Sequence, residues 1–130
     1  MCLLDRVNQW DATTIVCSAS SHRALDNPLR AQGRLGAACG VEYAAQAMAV
    51  HGSLLAQADG APRVGYLASV RSVQLHVPRL DDMVGDLTIT AERIAGDANN
   101  ILYLFTVAAD GQTLLTGRAA VVLDATLLRI

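Results

Sequence analysis

Glu42 is the only acidic residue between Asp26 and Asp59, and it stands in a long apolar stretch, Gly36 to Gln57, GAACGVEYAAQAMAVHGSLLAQ. Burying an ionised carboxylate without partners is costly, so a carboxylate here marks either a satisfied polar contact or a group that moves protons. On a helix, Glu42, Gln46, Ala49 and Ser53 fall on one stripe. The Gln46 amide then lies one turn from the carboxylate, where it can orient it, and the small side chain of Ala49 leaves room for a ligand chain. A carboxylate so placed is equipped for general acid or base work, and a dry tunnel around it would raise its pKa toward neutrality. The plainer alternative is a glutamate hydrogen-bonded across a contact between two chains.

The lead-in Gly33-Arg34-Leu35-Gly36-Ala37-Ala38 places backbone N–H groups at a helix start, where they can hold a carbonyl oxygen; otherwise it is an ordinary helix entry. A dinucleotide-binding reading of Gly33, Gly36 and Gly40 fails, because no buried strand precedes them and their spacing is wrong. His22 can serve as a base by swinging in from its loop, although a histidine between Ser21 and Arg23 is more often solvated. His51 is nine positions beyond Glu42 on the opposite helix face, and His76 falls on the polar side of its strand, so neither is expected to be catalytic. Arg71 and Arg79 have the charge to meet an acidic protein surface or phosphates, but scattered solvated arginines are the blander account. No serine-centred nucleophile elbow, zinc spacing or phosphate loop is present, and no metal or cofactor is implied.

These residues need a scaffold, and 130 residues at 52% hydrophobic and 17% charged suffice for a single domain over 1–130 with one core. Glu42, Gln46, His51 and the glycines 36, 40 and 52 interrupt the apolar stretch, so no membrane span is expected. The net charge of −2, with every basic residue an arginine and no basic stripe interleaved with aromatics, argues against nucleic acid. The start, MCLLDRV, lacks the layout of an export signal. Cys2, Cys17 and Cys39 are odd in number and unpaired in spacing, which fits reduced packing thiols in a cytoplasm.

The order of elements is legible from pattern. Leu3 to Trp10 and Thr13 to Ser20, joined at Asp11-Ala12, read as an antiparallel hairpin, and Ser21 to Gly33 reads as a loop. Gly36 to about Gln57 is alanine-rich and free of proline, long enough for roughly six helical turns, and should stop before Asp59-Gly60-Ala61-Pro62. Alternation in Ser72–Val77 and Leu87–Glu92, then Ile101–Val107 and Leu114–Leu123, predicts further strands. Asp110-Gly111 is a hairpin signal and Gly96-Asp97-Ala98-Asn99 a second turn. The sum is an α+β arrangement in which an antiparallel sheet wraps a helix too apolar for an open surface.

That order, with the residues that punctuate it, resembles the hotdog fold and, within it, the 3-hydroxyacyl-(acyl carrier protein) dehydratases of the FabA/FabZ type, above all their ApeP-like relatives. The resemblance runs over nearly the whole chain. It rests on Leu3-Leu4-Asp5-Arg6-Val7, similar to an LLxDRV start, and on Gly40-Val41-Glu42-Tyr43-Ala44-Ala45-Gln46-Ala47, similar to the helix motif E-x-M-A-Q. Tyr66-Leu67-Ala68, Gly85-Asp86-Leu87 and Asp110-Gly111-Gln112 match the post-helix strand, the P-G-D-x-L turn and the last hairpin. Members of this kind carry residues ahead of LLxDRV, so the resemblance implies a missing N-terminal segment. They also place a histidine in G-H-F-P before the helix, whereas this chain has Arg34, eight positions before Glu42, and no histidine there.

The resemblance implies a dehydratase of acyl thioesters, carried on acyl carrier protein or coenzyme A, in fatty acid or aryl polyene lipid synthesis. Glu42 would be the acid, Gln46 its orienting partner, His22 a replacement base, and the Ala37 amide the group that polarises the thioester carbonyl. Ala38, Gly40, Arg34 and Tyr66 would complete the substrate-binding set. A homodimer or higher homo-oligomer is implied, or a heteromer with a related dehydratase, with sites where chains meet. Two alternatives stay open: a hotdog thioesterase, which needs a helix carboxylate and no histidine, and a non-catalytic subunit that binds acyl chains or pairs with an active dehydratase.

Overall fold

The computed structural model describes residues 2–59, 65–97 and 100–123, with only the backbone of Asp59, Gly65, Tyr66 and Leu123. Among the described residues, six strands form one sheet: β1 (Arg6–Trp10), β2 (Thr14–Ala19), β3 (Gly65–Leu75), β4 (Leu87–Gly96), β5 (Asn100–Ala109) and β6 (Gln112–Leu123). Their order across the sheet is β1-β2-β4-β5-β6-β3, every pair antiparallel, which leaves β1 and β3 as edges. A single long helix, α1 (Gly40–Asp59), lies on one face, mostly over β4, β2 and β5. This is the hotdog arrangement that the resemblance implies.

The turns form where the local chemistry requires them. Asp11 Oδ1 accepts the N–H groups of Thr13 and Thr14, both at 2.8 Å, which closes the first hairpin. Asp110 and Gly111 have φ of 52° and 74°, the positive pair of a primed two-residue turn. The turn expected at 96–99 is only partly within the described residues, and the stop expected at 59–62 lies almost wholly outside them.

Alternation sorts β4 as expected, with Leu87, Ile89 and Ala91 buried and Thr88 and Glu92 exposed. It misleads over Ser72–Val77. The strand there is β3, which begins earlier and ends at Leu75, with a bulge between Arg71 and Gln74 and a φ of 55° at Ser72. A bulge inserts a residue and breaks the period of two, so Val73 and Leu75 stay exposed, and His76 and Val77 follow the strand.

The core is the sheet face under α1. Tyr43, Ala44, Ala47, Met48 and His51 form the buried side of the helix against Ile15, Cys17, Ile89, Ala91, Phe105 and their neighbours. The helix brings two polar side chains, His51 and Tyr43, into that core, each within a satisfied hydrogen-bond chain. The Tyr103 hydroxyl donates to His51 Nδ1 at 2.7 Å, and His51 Nε2 then donates to the Asp11 carbonyl at 2.7 Å. Burial pushes the Tyr103 phenol up to about 12, so it remains a donor. The Tyr43 hydroxyl accepts from Asn27 Nδ2 at 3.1 Å and donates to Ser21 Oγ at 2.7 Å, which itself donates to the Leu3 carbonyl at 2.8 Å. His51 is therefore structural, as its position on the helix suggested. Cys17 is buried and Cys39 half-buried, but Cys2 is exposed, with its Sγ donating to the Leu4 carbonyl at 3.3 Å, so it does not share the packing role expected for all three.

Gly40 opens the helix where a Cβ would lie 2.6 Å from a methyl of the buried Leu115. Close approach to β6 is thus the reason for glycine at that position. Gly40→Ala should destabilise the fold by about 1 to 3 kcal/mol through overpacking, read from urea unfolding midpoints at unchanged slope.

Candidate functional site at the start of the helix

The helix begins later than its composition suggests. Gly36 is extended, Ala37–Cys39 form a 3₁₀ turn, and only Gly40 starts α1. Backbone pairing explains this. The Leu35 carbonyl accepts the Leu80 N–H at 2.8 Å, the Ala37 N–H donates to the Pro78 carbonyl at 3.2 Å, and Gly36 bridges to Arg79. A segment engaged as a short strand cannot be helical at the same time.

Asp81 seals the pairing. Its Oδ1 accepts the Leu35 N–H at 2.9 Å and Arg79 Nε at 3.0 Å, the Arg79 terminal nitrogen bonds Oδ2, and Arg30 stands 3.9 Å away. The Arg79 hydrogen bonds are the largest reason that the Asp81 carboxyl is held far below the usual carboxylate range. Arg79 is accordingly committed to this contact and is not a free surface cation. Sequence reasoning missed Asp81 altogether, because Leu35 and Asp81 are remote in the chain; its one local signal is the opposite-charge cluster Arg79-Leu80-Asp81-Asp82.

The clamp presents a small set of groups to the exterior. Ala38 and Glu42 are four positions apart and both exposed, on one side of the helix start. The Ala38 N–H has no acceptor among the described residues. Glu42 makes no hydrogen bond or ion pair among them either, and its place in the first turn of α1 suits a negative charge by the helix dipole. Gln46 is half-buried on the next turn, with Oε1 accepting the Leu3 N–H at 2.8 Å. No hydrogen bond joins it to Glu42, so the orienting contact expected between the two is not made within the chain. Ala49 and Ser53 continue the exposed stripe. No dry tunnel surrounds Glu42 among the described residues of one chain.

Other expected site residues are placed elsewhere. The Ala37 amide is spent on Pro78 and its side chain is buried, so the carbonyl-polarising role cannot be its own. Gly40 faces Leu115 in the core. Arg34 ends the tight Ala31–Arg34 turn, with φ of 54° at Gln32 and 77° at Gly33, and its exposed side chain has no partner among the described residues. The Tyr66 backbone is in β3 opposite Val122, while its side chain lies outside the described residues.

His22 is not solvated as a loop position suggested. The 3₁₀ turn Ser21–Arg23 carries it inward to 0% exposure, with Nε2 at 3.0 Å from the Met83 carbonyl. Nε2 is therefore the protonated nitrogen, and Nδ1 is left buried without a partner. Burial lowers its pKa, so the ring is neutral at pH 7. No contact joins His22 to Glu42.

The comparisons with known proteins fit this geometry. The family model for ApeP-like proteins, described as ApeP dehydratase, matches residues 1–127. The chain belongs to the ApeP-like dehydratase family. No curated protein matches the sequence. Among solved structures, the dehydratase heterocomplex ApeI:P from Xenorhabdus doucetiae superposes with a TM-score of 0.86 at 22% identity, covering 98% of this chain and 87% of that one. A mutant thioesterase from Staphylococcus aureus gives 0.70 at 15% identity over 92% of each chain. A mutant thioesterase from Pseudomonas aeruginosa gives 0.67 at 16%, covering 91% and 79%. At such identities the structures establish the fold, and the family model establishes the ApeP-like kinship. No helix among the described residues is long and apolar enough to cross a membrane.

Asp81→Asn should loosen the helix start by about 2 kcal/mol, since it weakens a charge-assisted contact and unbalances Arg79 and Arg30. The pH dependence has a definite sign. The folded carboxyl titrates below the unfolded value of about 3.9, so its stabilisation is complete above that pH and is lost as pH falls beneath it. Acid titrations followed by circular dichroism should show a shallower loss of stability below pH 4 in the variant than in the parent.

Proposed function

We propose that this ApeP-like chain contributes the acid half of a 3-hydroxyacyl-thioester dehydratase site, with Glu42 as the acid. The observation that carries the reading is the unpartnered Glu42 carboxylate one turn from the unengaged Ala38 N–H, on a helix start of the ApeP-like family. A thioester carbonyl accepting the Ala38 N–H acquires a more acidic neighbouring C–H, because the developing oxyanion meets a fixed donor. A base removes that proton, Glu42 in its acid form protonates the departing 3-hydroxyl, and water and the enoyl thioester leave. Arg34 stands as an outer contact to the carrier.

The base is supplied across an interface. His22 has the neutral ring and fixed tautomer of a base, yet it is enclosed within its own chain. The partner is a second copy or a related dehydratase, as the similarity to a dehydratase heterocomplex, ApeI:P, supports. The edge of the sheet supports such pairing. β3 is an eleven-residue edge strand with Leu67 and Leu75 nearly half exposed, a row of unpaired backbone groups that natural proteins cover. Closing a partner over the exposed helix stripe also excludes water from Glu42. The substrate is an acyl chain on acyl carrier protein or coenzyme A, and the setting is cytoplasmic lipid synthesis. No cofactor enters the reaction.

A thioesterase reading draws on the same exposed carboxylate, since a helix glutamate that activates water or attacks the thioester needs no histidine. Incubation with 3-hydroxyacyl and saturated acyl thioesters, alone and with a related dehydratase added, separates the readings. Enoyl product is expected, with Glu42→Gln lowering turnover on the order of a hundredfold or more. Free thiol instead assigns the thioesterase, and no turnover in either condition assigns a non-catalytic subunit. Analytical ultracentrifugation at micromolar concentration should show a dimer of the chain alone or with its partner; a persistent monomer in both refutes the interface site.

A further inference from the structure

The face of the sheet turned away from α1 carries a feature that the dehydratase chemistry does not use. Tyr103 points to the helix side, where it meets His51, so its neighbours Leu102 and Leu104 point to the other side. Leu104 pairs with Arg118 and Leu102 with Ala120 on β6, and across from these β3 places Arg71 opposite Arg118 and Ser69 opposite Ala120. Two arginines thus stand directly opposite each other on adjacent strands. They line a half-open hollow of about 340 Å³ with Ser69, Leu102 and Ala120. A second hollow of about 340 Å³ adjoins it through Leu102 and Ala120 and runs toward Asn100.

Opposed like charges destabilise a sheet unless something neutralises them. Neither Arg71 nor Arg118 has an ion pair or side-chain hydrogen bond among the described residues. The acid in the same row is Glu92 on β4, beyond Leu104. No ion pair joins it to Arg118 among the described residues. Two guanidinium forks at one hollow suit the oxygens of a phosphoryl group, which accepts from both in paired N–H···O bonds. The Ser69 hydroxyl adds a donor, and Leu102 with Ala120 provides an apolar floor for the organic part of a phosphate ester.

We infer that Arg71 and Arg118 form a phosphoryl-binding site on the outer face of the sheet, distinct from the thioester site at the helix start. The same chemistry is offered by inorganic phosphate and by organic phosphate esters, and the apolar floor favours the esters. Binding relieves the repulsion between the arginines, so it should stabilise the fold as occupancy rises.

Melting temperatures of the full chain are measured at constant ionic strength with chloride, inorganic phosphate, pantetheine 4′-phosphate or coenzyme A. Phosphate compounds should raise the midpoint by a few degrees over chloride, and Arg71→Gln and Arg118→Gln should each abolish the rise. Both variants should match or exceed the parent in chloride, because the repulsion is gone, whereas Arg6→Gln on β1 should keep the parent response. Tighter binding of the esters than of inorganic phosphate assigns the floor to the ligand, and equal binding assigns the site to free phosphate. No phosphate-specific shift in the parent, or a shift that survives in both variants, overturns the inference.

Discussion

The short strand pairing of Leu35–Ala37 with Pro78–Leu80, sealed by Asp81, is the constraint on which the rest of the helix end depends. It consumes the Ala37 amide, holds Gly36 extended and delays the helix to Gly40. That delay sets the rotation of the first turn. Tyr43 then points inward to Ser21 and Asn27, Gly40 packs on Leu115, and Glu42 is left facing out beside Ala38.

The helix itself is stabilised more by packing than by charge. Its buried side is narrow and mostly small, Ala44 and Ala47 between Tyr43, Met48 and His51, so α1 can lie close to the sheet. Such close approach strands any polar atom without a partner, and the two that enter are both satisfied. Tyr103 and the Asp11 carbonyl fix the tautomer of His51 from either side. His22 differs, with one nitrogen satisfied and one orphaned, a cost of about 1 to 3 kcal/mol that a purely structural residue would not be expected to carry.

Much of the fold was legible because short-range chemistry determines it. Asp11 and Asp110-Gly111 make turns through their own side chains and dihedrals, and Leu87, Ile89 and Ala91 alternate because one face is dry. The motif around Glu42 and Gln46 pointed to the family that the model match then established. The β3 bulge was not legible, since a bulge at a sheet edge breaks alternation without any residue type that announces it. The same holds for His22, whose loop position suggested solvent while the 3₁₀ turn buried it.

Periodicity, turn chemistry and motif spacing are local, so the order of the elements, the single long helix, the family and the residue types available for proton transfer could be read from the chain alone. Only the tertiary structure decided which of those residues face outward together. Ala38 replaced Ala37 as the available amide, Arg79 proved committed to Asp81, and Arg71 met Arg118. Each of these outcomes depends on a contact between segments distant in the chain, and hydrogen-bond competition and strand register between such segments leave no trace in local pattern.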